Sequence, residues 1–486
     1  MKRRLSVVLL GLCGCFGAAP VFATDLVEAY NDALKSDPTY LAAKSTYQAA
    51  LQDTPISRSV LLPQISLGGS NNGSLFLSKA KDSGAAQTNN TTTSKGYGVA
   101  LSLTQPIFDF TAIEEFRAAQ DTVKSAAATY YAALQTLMVT VSTNYFAVLE
   151  AQENLRYADS NVAANKSSLD QAQQQYRVGT NTLTDVYTAQ AAYSTAVSGQ
   201  VAAENSLQDA IETLRAVTGK KYQTFSSLNE KLPLVSPDPK NVNDWVKVAV
   251  ENNPSLKAAH YTAMAAMKTV SAQWGGHLPT VNFSASYGTN YQYQSSDIAS
   301  DEGSSRTNTG TVGLDVSLPI FEGGLVTAQT KQAEYNYETA INNLELEHRT
   351  VEKNTRIDYL NVLAAISTVQ ADEISVKSNI TALKGLEAGY RVGTQTMIDV
   401  LNQQSLLFQS EQAYATDRYG YVTSLISLKN DTGVLGLNDL EAINDWLGET
   451  SVKPKSEKSE QPSGLQVLRN NYRSKTKTAD VSQEAT

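Results

Sequence analysis

Two aspartates, Asp185 and Asp399, are the residues whose types and spacing most suggest chemistry, because each belongs to a segment that is written twice. The first segment runs from Tyr176 to Val186, and its near copy runs from Tyr390 to Val400, 214 residues later. In both copies the aspartate follows a threonine by three residues, which is the spacing of a capping box at a helix start. Within one chain, each carboxylate is therefore expected to cap a helix and to be stabilised by its dipole. A ring of such carboxylates from several chains would also bind a cation.

No other grouping of residues indicates catalysis or a metal centre. The three histidines, His260, His277 and His348, are scattered without ligand spacing. The glycines of the repeated segments and Gly323-Gly324 do not form a phosphate loop. No nucleophile, base and orienting residue stand in a recognisable arrangement. We therefore expect no enzyme activity, no cofactor and no metal site.

The repeated segments are predicted to be the tips of two helical hairpins. In each copy a long helical pattern runs into the tyrosine, Gly-Thr interrupts it, and Thr-x-x-Asp begins the next helix. From about Asp109 to Gln175 the chain contains no proline or glycine. This predicts a helix of roughly 67 residues, about 100 Å long. Its small and medium apolar residues favour coiled-coil packing between long helices.

Other motifs of the chain also occur twice, which predicts an internal duplication. Four pairs of anchors recur in the same order at offsets between 213 and 216 residues: Asp37-Pro38 and Asn253-Pro254, Leu62-Pro63 and Leu278-Pro279, Pro106-Ile107-Phe108 and Pro319-Ile320-Phe321, and Thr218-Gly219 and Thr432-Gly433. Such order is typical of one structural unit copied and stacked against itself. We expect a first repeat at 24–232, a linker at 233–240 and a second repeat at 241–447. Residues 448–486, rich in Lys, Glu, Ser, Gln and Thr, are expected to be a disordered tail.

The first 23 residues read as a secretory signal, with three basic residues, an apolar run and small residues before a cleavage point after Ala23. Both cysteines lie inside this segment, so the mature chain would have no disulfide. An alternative is a lipoprotein signal with Cys15 acylated. The formal charge of −9 argues against nucleic acid as a partner. Beyond the signal there is no uninterrupted apolar run long enough for a membrane helix, so a membrane crossing would need a β-barrel.

Two hairpins, at about 64–105 and 279–319, are predicted from alternating patterns. The first is expected to contain a polar loop from Ser78 to Lys95. Val281, Phe283, Ala285 and Tyr287 share one face, and small or polar residues share the other. A soluble sandwich would show the same alternation, but the export signal and the tyrosines favour an outer-membrane barrel. Four strands are too few to close a barrel. A homotrimer would supply twelve.

These features together resemble the TolC family of outer-membrane efflux and secretion channels over about residues 25 to 447. The resemblance rests on the paired tips, the Leu-Pro and Pro-Ile-Phe junctions, the motif from Asn144 to Leu149, and Arg418-Tyr419-Gly420-Tyr421. It implies a mainly α fold with a β-barrel portion: a helical coiled-coil tunnel reaching through the periplasm below a 12-stranded trimeric barrel in outer-membrane lipid. It also implies two partners, a periplasmic adaptor protein and an inner-membrane pump or ABC exporter.

The resemblance also suggests roles for residues at the tips. Asp399 matches the position whose three copies ring the closed periplasmic mouth, but the next ring position is Asn402 rather than aspartate. Tyr390 and Asp185 match a tyrosine and an aspartate that hold the coils shut, which implies a hydrogen bond from Tyr390 to Asp185. Gln395 stands where an arginine is expected. Thr184 is assigned to the same constriction. The turns at the helix tips are assigned to adaptor docking: Arg177, Val178, Gly179, Thr180, Arg391, Val392, Gly393 and Thr394.

The expected function is that of a passive exit duct in the outer membrane of a Gram-negative cell. It would carry small toxic compounds, secreted proteins or both from the pump to the exterior. The alternative is a trimeric adhesive or structural coiled coil anchored by a barrel. The alternative predicts helices outside the cell and a solid core, whereas the duct predicts periplasmic helices and a lumen.

Overall fold

The computed structural model describes residues 24–80, 88–229, 232–296 and 303–452. The chain forms two compact units. Among the described residues, the first unit comprises 24–41, Gln135–Trp245 and 355–452, and the second comprises Ala42–Leu134 and Val246–Asn354. Each unit takes segments from both predicted repeats, because the two long helices contribute a part to either unit. The compact units therefore do not coincide with the predicted sequence repeats. The division into two repeats stays a prediction.

The described residues are mostly helical, with two sets of strands. In chain order the elements are α1 Leu26–Ser36, α2 Pro38–Ala50, α3 Asp53–Val60, β1 Gln64–Ala80, β2 Thr88–Phe108, α4 Phe110–Arg177, α5 Leu183–Thr218, β3 Phe225–Leu228, α6 Val242–Asn252, α7 Pro254–Trp274, a 3-10 turn Gly275–His277, β4 Thr280–Ser296, β5 Gly303–Ser317, α8 Leu325–Arg391, α9 Met397–Asp431, α10 Leu437–Asn444 and β6 Leu447–Val452.

The long helices match the prediction closely. Helix α4 has 68 residues and its counterpart α8 has 67. One stretch of α4 is long and apolar enough to cross a membrane by length and composition, although the sequence showed no uninterrupted apolar run. Because 44% of that stretch is buried within the protein, it also fits a helix of a packed core.

The second unit carries one antiparallel sheet in the order β1-β2-β4-β5. Both predicted hairpins are present, and β2 of the first pairs with β4 of the second. Strand β2 begins at Thr88, whereas the sequence predicted a polar loop from Ser78 to Lys95. Threonine-rich segments suit a strand when a neighbour completes the hydrogen-bond ladder, which local composition does not reveal. Strands β1 and β5 are left as the open edges of the sheet.

The first unit is built around buried aromatic residues of the predicted motifs. Tyr145 is fully buried, and its hydroxyl lies 3.0 Å from the carbonyl oxygen of Thr24 and 3.1 Å from that of Ser226. Strand β3 pairs with β6, which begins one residue before the predicted tail and continues to Val452. The ordered chain therefore extends further than predicted, because backbone pairing holds a segment of low hydrophobicity. The rest of the predicted tail and the predicted signal lie outside the described residues.

Candidate functional site

The first hairpin tip, between α4 and α5, is closed by hydrogen bonds within a few residues. Gly179 has a φ of +78°, a left-handed conformation that glycine adopts without steric cost. This turn lets the amide of Thr180 donate to the carbonyl oxygen of Gln175 at 2.9 Å. The Thr182 side chain then accepts from the amide of Asp185 at 3.2 Å, while the Asp185 carboxylate accepts from the Thr182 amide at 3.3 Å. This is the predicted capping box.

The second tip, between α8 and α9, repeats this geometry. Gly393 has a φ of +80°, and the amide of Thr394 donates to the carbonyl oxygen of Gly389 at 2.9 Å. Thr396 and Asp399 form the same capping box, with distances of 3.2 Å and 3.0 Å. The repeated sequence therefore produces a repeated local structure.

The negative charge of Asp399 is stabilised by its position at the N-terminus of α9. Hydrogen bonds from the Thr396 side chain, followed by those from its backbone, lower the pKa of Asp399 below its ordinary value. Helix N-termini favour negative charge for the same reason. Asp399 is partly exposed, so its carboxylate is ionised and accessible at neutral pH. Capping and cation binding are thus compatible roles for this residue.

The two tips pack against each other through a small apolar cluster. Its buried members are Leu169, Ala172, Ala189, Met397 and Leu401. Partly buried Val186, Ala192, Tyr193 and Tyr390 pack against them. The cluster joins α4 and α5 to α9, so the two tips are in direct contact.

The hydrogen bond expected from Tyr390 to Asp185 is not formed in this structure. The Tyr390 hydroxyl donates to the side-chain oxygen of Gln175 at 2.5 Å and accepts from the amide group of Asn181 at 3.3 Å. The Asp185 carboxylate is instead engaged by the backbone and hydroxyl of Thr182. Burial, and secondarily the charge of Asp185, raises the pKa of Tyr390. Asp185 is therefore near enough to act electrostatically, while Gln175 makes the contact.

The residues assigned to docking and gating lie mostly on the surface. All eight turn residues assigned to docking are exposed, with Val178 and Val392 at 74% and 75%. Thr184, Gln395 and Asn402 are exposed as well. Apolar side chains held this far out of a fold are available to a partner. Their roles stay predictions.

Several residues at the tips were missed by the sequence analysis. A Cβ at Gly389 would lie 2.6 Å from Gln395 Cγ, so a larger residue at this position would require the Gln395 side chain to shift. A cavity of about 360 Å³ beside the second tip is lined by Tyr390, Arg391 and Gln404, among others. Gln404 is buried, and its amide nitrogen donates to the hydroxyl of Ser168 at 3.3 Å.

Two pairs of aspartates between α8 and α9 were also missed. Burial, followed by the charge and hydrogen bond of Asp431, raises the pKa of Asp358 to about 6. Burial, followed by the hydrogen bond and charge of Asp417, raises the pKa of Asp372 to about 6. The pairs lie fourteen residues apart on both helices, which is two heptads, so they occupy equivalent positions along this antiparallel contact. Among the described residues, no three His, Cys, Asp or Glu side chains could hold a metal ion together.

Comparison with known proteins gives consistent similarities. The sequence model of the family described as "Outer membrane efflux protein" matches residues 29–220 and 245–434. The chain is 34% identical over 456 residues to "Outer membrane protein TolC" of Escherichia coli (strain K12), covering 92% of this chain and 90% of that protein. It is 25% identical over 455 residues to "Alkaline protease secretion protein AprF" of Pseudomonas aeruginosa, covering 93% of both.

Two solved structures share the fold. The crystal structure of the outer membrane protein VceC from Vibrio cholerae aligns with a TM-score of 0.68 at 18% identity, covering 84% of this chain and 96% of that chain. The crystal structure of the Campylobacter jejuni CmeC outer membrane channel aligns with a TM-score of 0.68 at 16% identity, covering 92% and 98%.

Proposed function

We infer that this chain, which belongs to the outer membrane efflux protein family, works as a homotrimer. It is an outer-membrane exit duct of the kind that serves efflux and type I secretion, as its relatives TolC and AprF indicate. These relatives favour the duct over the adhesive coiled coil. The trimer, the closed barrel and the gate are our proposals.

The observation that carries the trimer is the four-stranded sheet with two open edges. Strands β1 and β5 each present an unpaired ladder of backbone groups, which cannot be left exposed in lipid. One face of the sheet is apolar and exposed, as shown by Leu67 at 73% and Val312 at 74%. Joining β5 of one copy to β1 of the next would satisfy both edges, and three copies would make twelve strands. Small barrels of this order of size enclose a lumen.

The tips would then meet near the trimer axis at the periplasmic end. Three Asp399 carboxylates, each ionised and partly exposed, would form a ring that binds cations. The exposed turns, with Val178 and Val392 outermost, would dock the adaptor protein, and the adaptor would connect the duct to an inner-membrane pump or ABC exporter. The duct itself would be passive, so its partners would supply the energy for transport.

The test is block of the purified full-length protein in planar bilayers by a trivalent cation such as hexaamminecobalt(III). We expect block from the tip side in the parent, and a concentration for half block at least about tenfold higher in Asp399→Asn. The matched control is Asp185→Asn, which removes the same charge from the duplicate capping box. Equal block in the parent and in Asp399→Asn would remove Asp399 from the mouth. An equal loss in both variants would assign the effect to capping.

A second measurement tests the assembly directly. A cysteine pair joining an edge residue of β1 to one of β5 should give a crosslinked trimer in outer membranes under oxidation. A cysteine pair joining β2 to β4 should crosslink only within one chain, because those strands already pair. Monomers alone in the first case would overturn the closed barrel.

A further inference from the structure

The two faces of the sheet differ sharply in composition. The registers from β1 to β2 and from β4 to β5 are uninterrupted, so alternate residues share a face over the whole hairpin. One face lines a concave cavity of about 450 Å³, whose lining includes Ser66, Gly98, Ser102, Asn290 and Thr309. These residues are small or polar, so the concave surface has room for water and can hydrogen-bond to it. It is the face that would line the lumen.

Phe76 is the exception on this concave face. It lies ten residues after Ser66 on β1, which places it on the same side of the pleat, and it pairs with Thr92, which pairs with Ser296. Within 64–77, 91–104, 282–296 and 303–317, it is the only side chain on that face that is apolar and larger than alanine. Its side chain is 71% exposed, so it packs into no core of this chain.

An exposed aromatic residue on a polar face contributes little to folding, which favours a role in binding. The apolar residues of the opposite face have a reason in lipid contact, but Phe76 does not share that face. Over the same ranges, the only ionisable residue on the concave face is Asp315, which accepts a hydrogen bond from Ser284 at 2.7 Å. The face therefore carries one acidic group and one aromatic ring, at opposite ends of the strands: Asp315 pairs with Asn282, whereas Phe76 is in register with Ser296, fourteen residues further along β4. Aromatic faces and carboxylates both attract cations.

The position of Phe76 along the strand is informative. It lies twelve residues beyond Gln64, where β1 leaves the helical part of the chain. Twelve residues of strand span about 40 Å, or about 30 Å along the axis of a barrel with tilted strands. The apolar band of outer-membrane barrels is about 25 Å tall. Phe76 therefore lies at or just beyond the far edge of the lipid.

We propose that three Phe76 side chains, one from each copy, form an aromatic ring inside the outer end of the lumen that binds organic cations with apolar parts as they leave. This rests on the trimeric duct proposed above. The aromatic faces of the ring attract the cation. The described strands place no basic residue on the lumen face that would repel it. Such a ring retards amphipathic organic cations more than inorganic ions of equal charge.

The experiment measures block of the full-length protein in planar bilayers by tetraphenylphosphonium added from the side opposite the helix tips. We expect the half-block concentration to rise about three- to fivefold in Phe76→Ser and to stay near the parental value in Phe76→Tyr, which keeps the aromatic face. Leu75→Ser is the matched control, because it removes an apolar side chain from the neighbouring position on the convex face. It should leave the block unchanged.

The outcomes separate this ring from the duct itself. Unaltered block in a conducting Phe76→Ser channel, or an equal loss in Leu75→Ser, would overturn the aromatic ring while leaving the duct in place. If Phe76→Ser does not insert, weakened block in Phe76→Tyr counts against the ring, because tyrosine retains the aromatic face. A parent protein that forms no conducting pore would overturn the duct, and the ring with it.

Discussion

Replacing Asp372 by asparagine should tighten the contact between α8 and α9 at neutral pH, and the effect should vanish in acid. Burial and the neighbouring Asp417 raise the pKa of Asp372 to about 6. Because this value lies above that of an unfolded aspartate, the folded state favours the protonated form. The stability gained from protonation is fully present below about pH 4 and is lost as the pH rises through about 6. At neutral pH the two carboxylates therefore oppose the contact.

The size of the effect follows from the difference between the two pKa values. About two pH units correspond to at most about 3 kcal/mol. Asp372 is only partly buried, so solvent screens much of the repulsion and we expect about 1 kcal/mol. Asparagine keeps the shape of the side chain without its charge. Asp372→Asn should therefore reduce local opening near Asp417 about fivefold at pH 7.5.

Hydrogen exchange followed by mass spectrometry measures this opening in the purified protein. Amides of α9 around Asp417 should exchange about fivefold more slowly in Asp372→Asn than in the parent at pH 7.5, and equally at about pH 3.5. Comparing variants at one pH removes the pH dependence of intrinsic exchange. Asp170→Asn, at an exposed position of α4, is the control for net charge and should match the parent at both pH values.

Three results would refute the reasoning. Equal exchange of the parent and Asp372→Asn at pH 7.5 would show that the two carboxylates do not oppose the helix contact. Slowing of the same size at both pH values would show that charge is not the cause. Slowing in Asp170→Asn as large as in Asp372→Asn would assign the effect to the total charge of the protein.

Three further predictions concern the tips and the sheet. Gly393→Ala should lower the thermal midpoint by forcing a side chain into a φ of +80°, at a cost of about 1 kcal/mol or more, whereas Gly385→Ala within α8 should raise it. Tyr390→Phe should speed amide exchange at both tips, because it removes the hydrogen bonds of the Tyr390 hydroxyl with Gln175 and Asn181, each worth about 1 kcal/mol. Unchanged exchange would show that the apolar cluster alone holds the tips together. Val312→Arg, on the apolar face, should reduce the amount of protein in outer membranes. Thr311→Arg, on the opposite face, should insert normally and lower cation conductance. Equal amounts of the two variants in outer membranes would contradict the assignment of faces.

The structure of each tip could be predicted from the sequence because it depends on near neighbours. Gly389, Gly393, Thr396 and Asp399 lie within eleven residues, and the turn and the capping box use only hydrogen bonds inside that span. The contact of Tyr390 could not be predicted in the same way. Gln175 and Asp185 both lie more than 200 residues away in the chain, and the choice between them depends on how the helices pack.

The sheet shows the same division. Alternation predicted both hairpins, because residues two apart share a face in any strand. It did not predict that β2 extends back to Thr88 or that β2 pairs with β4, since both depend on a strand from the other half of the chain. The sequence did not single out Phe76, because the register between β1 and β2 is needed to show that its side chain lies on the polar face.

The sequence by itself determined the long helices, the four strands of the two hairpins and the capped tips, because helix and strand periodicity and local hydrogen bonds act between residues close in the chain. Only the tertiary structure decided that Tyr390 contacts Gln175, that Asp358 and Asp372 face aspartates of α9, and that Phe76 stands alone on the concave face. These contacts join segments far apart in the chain. Which of several similar side chains meet is set by helix packing and strand register, and these depend on the whole fold at once.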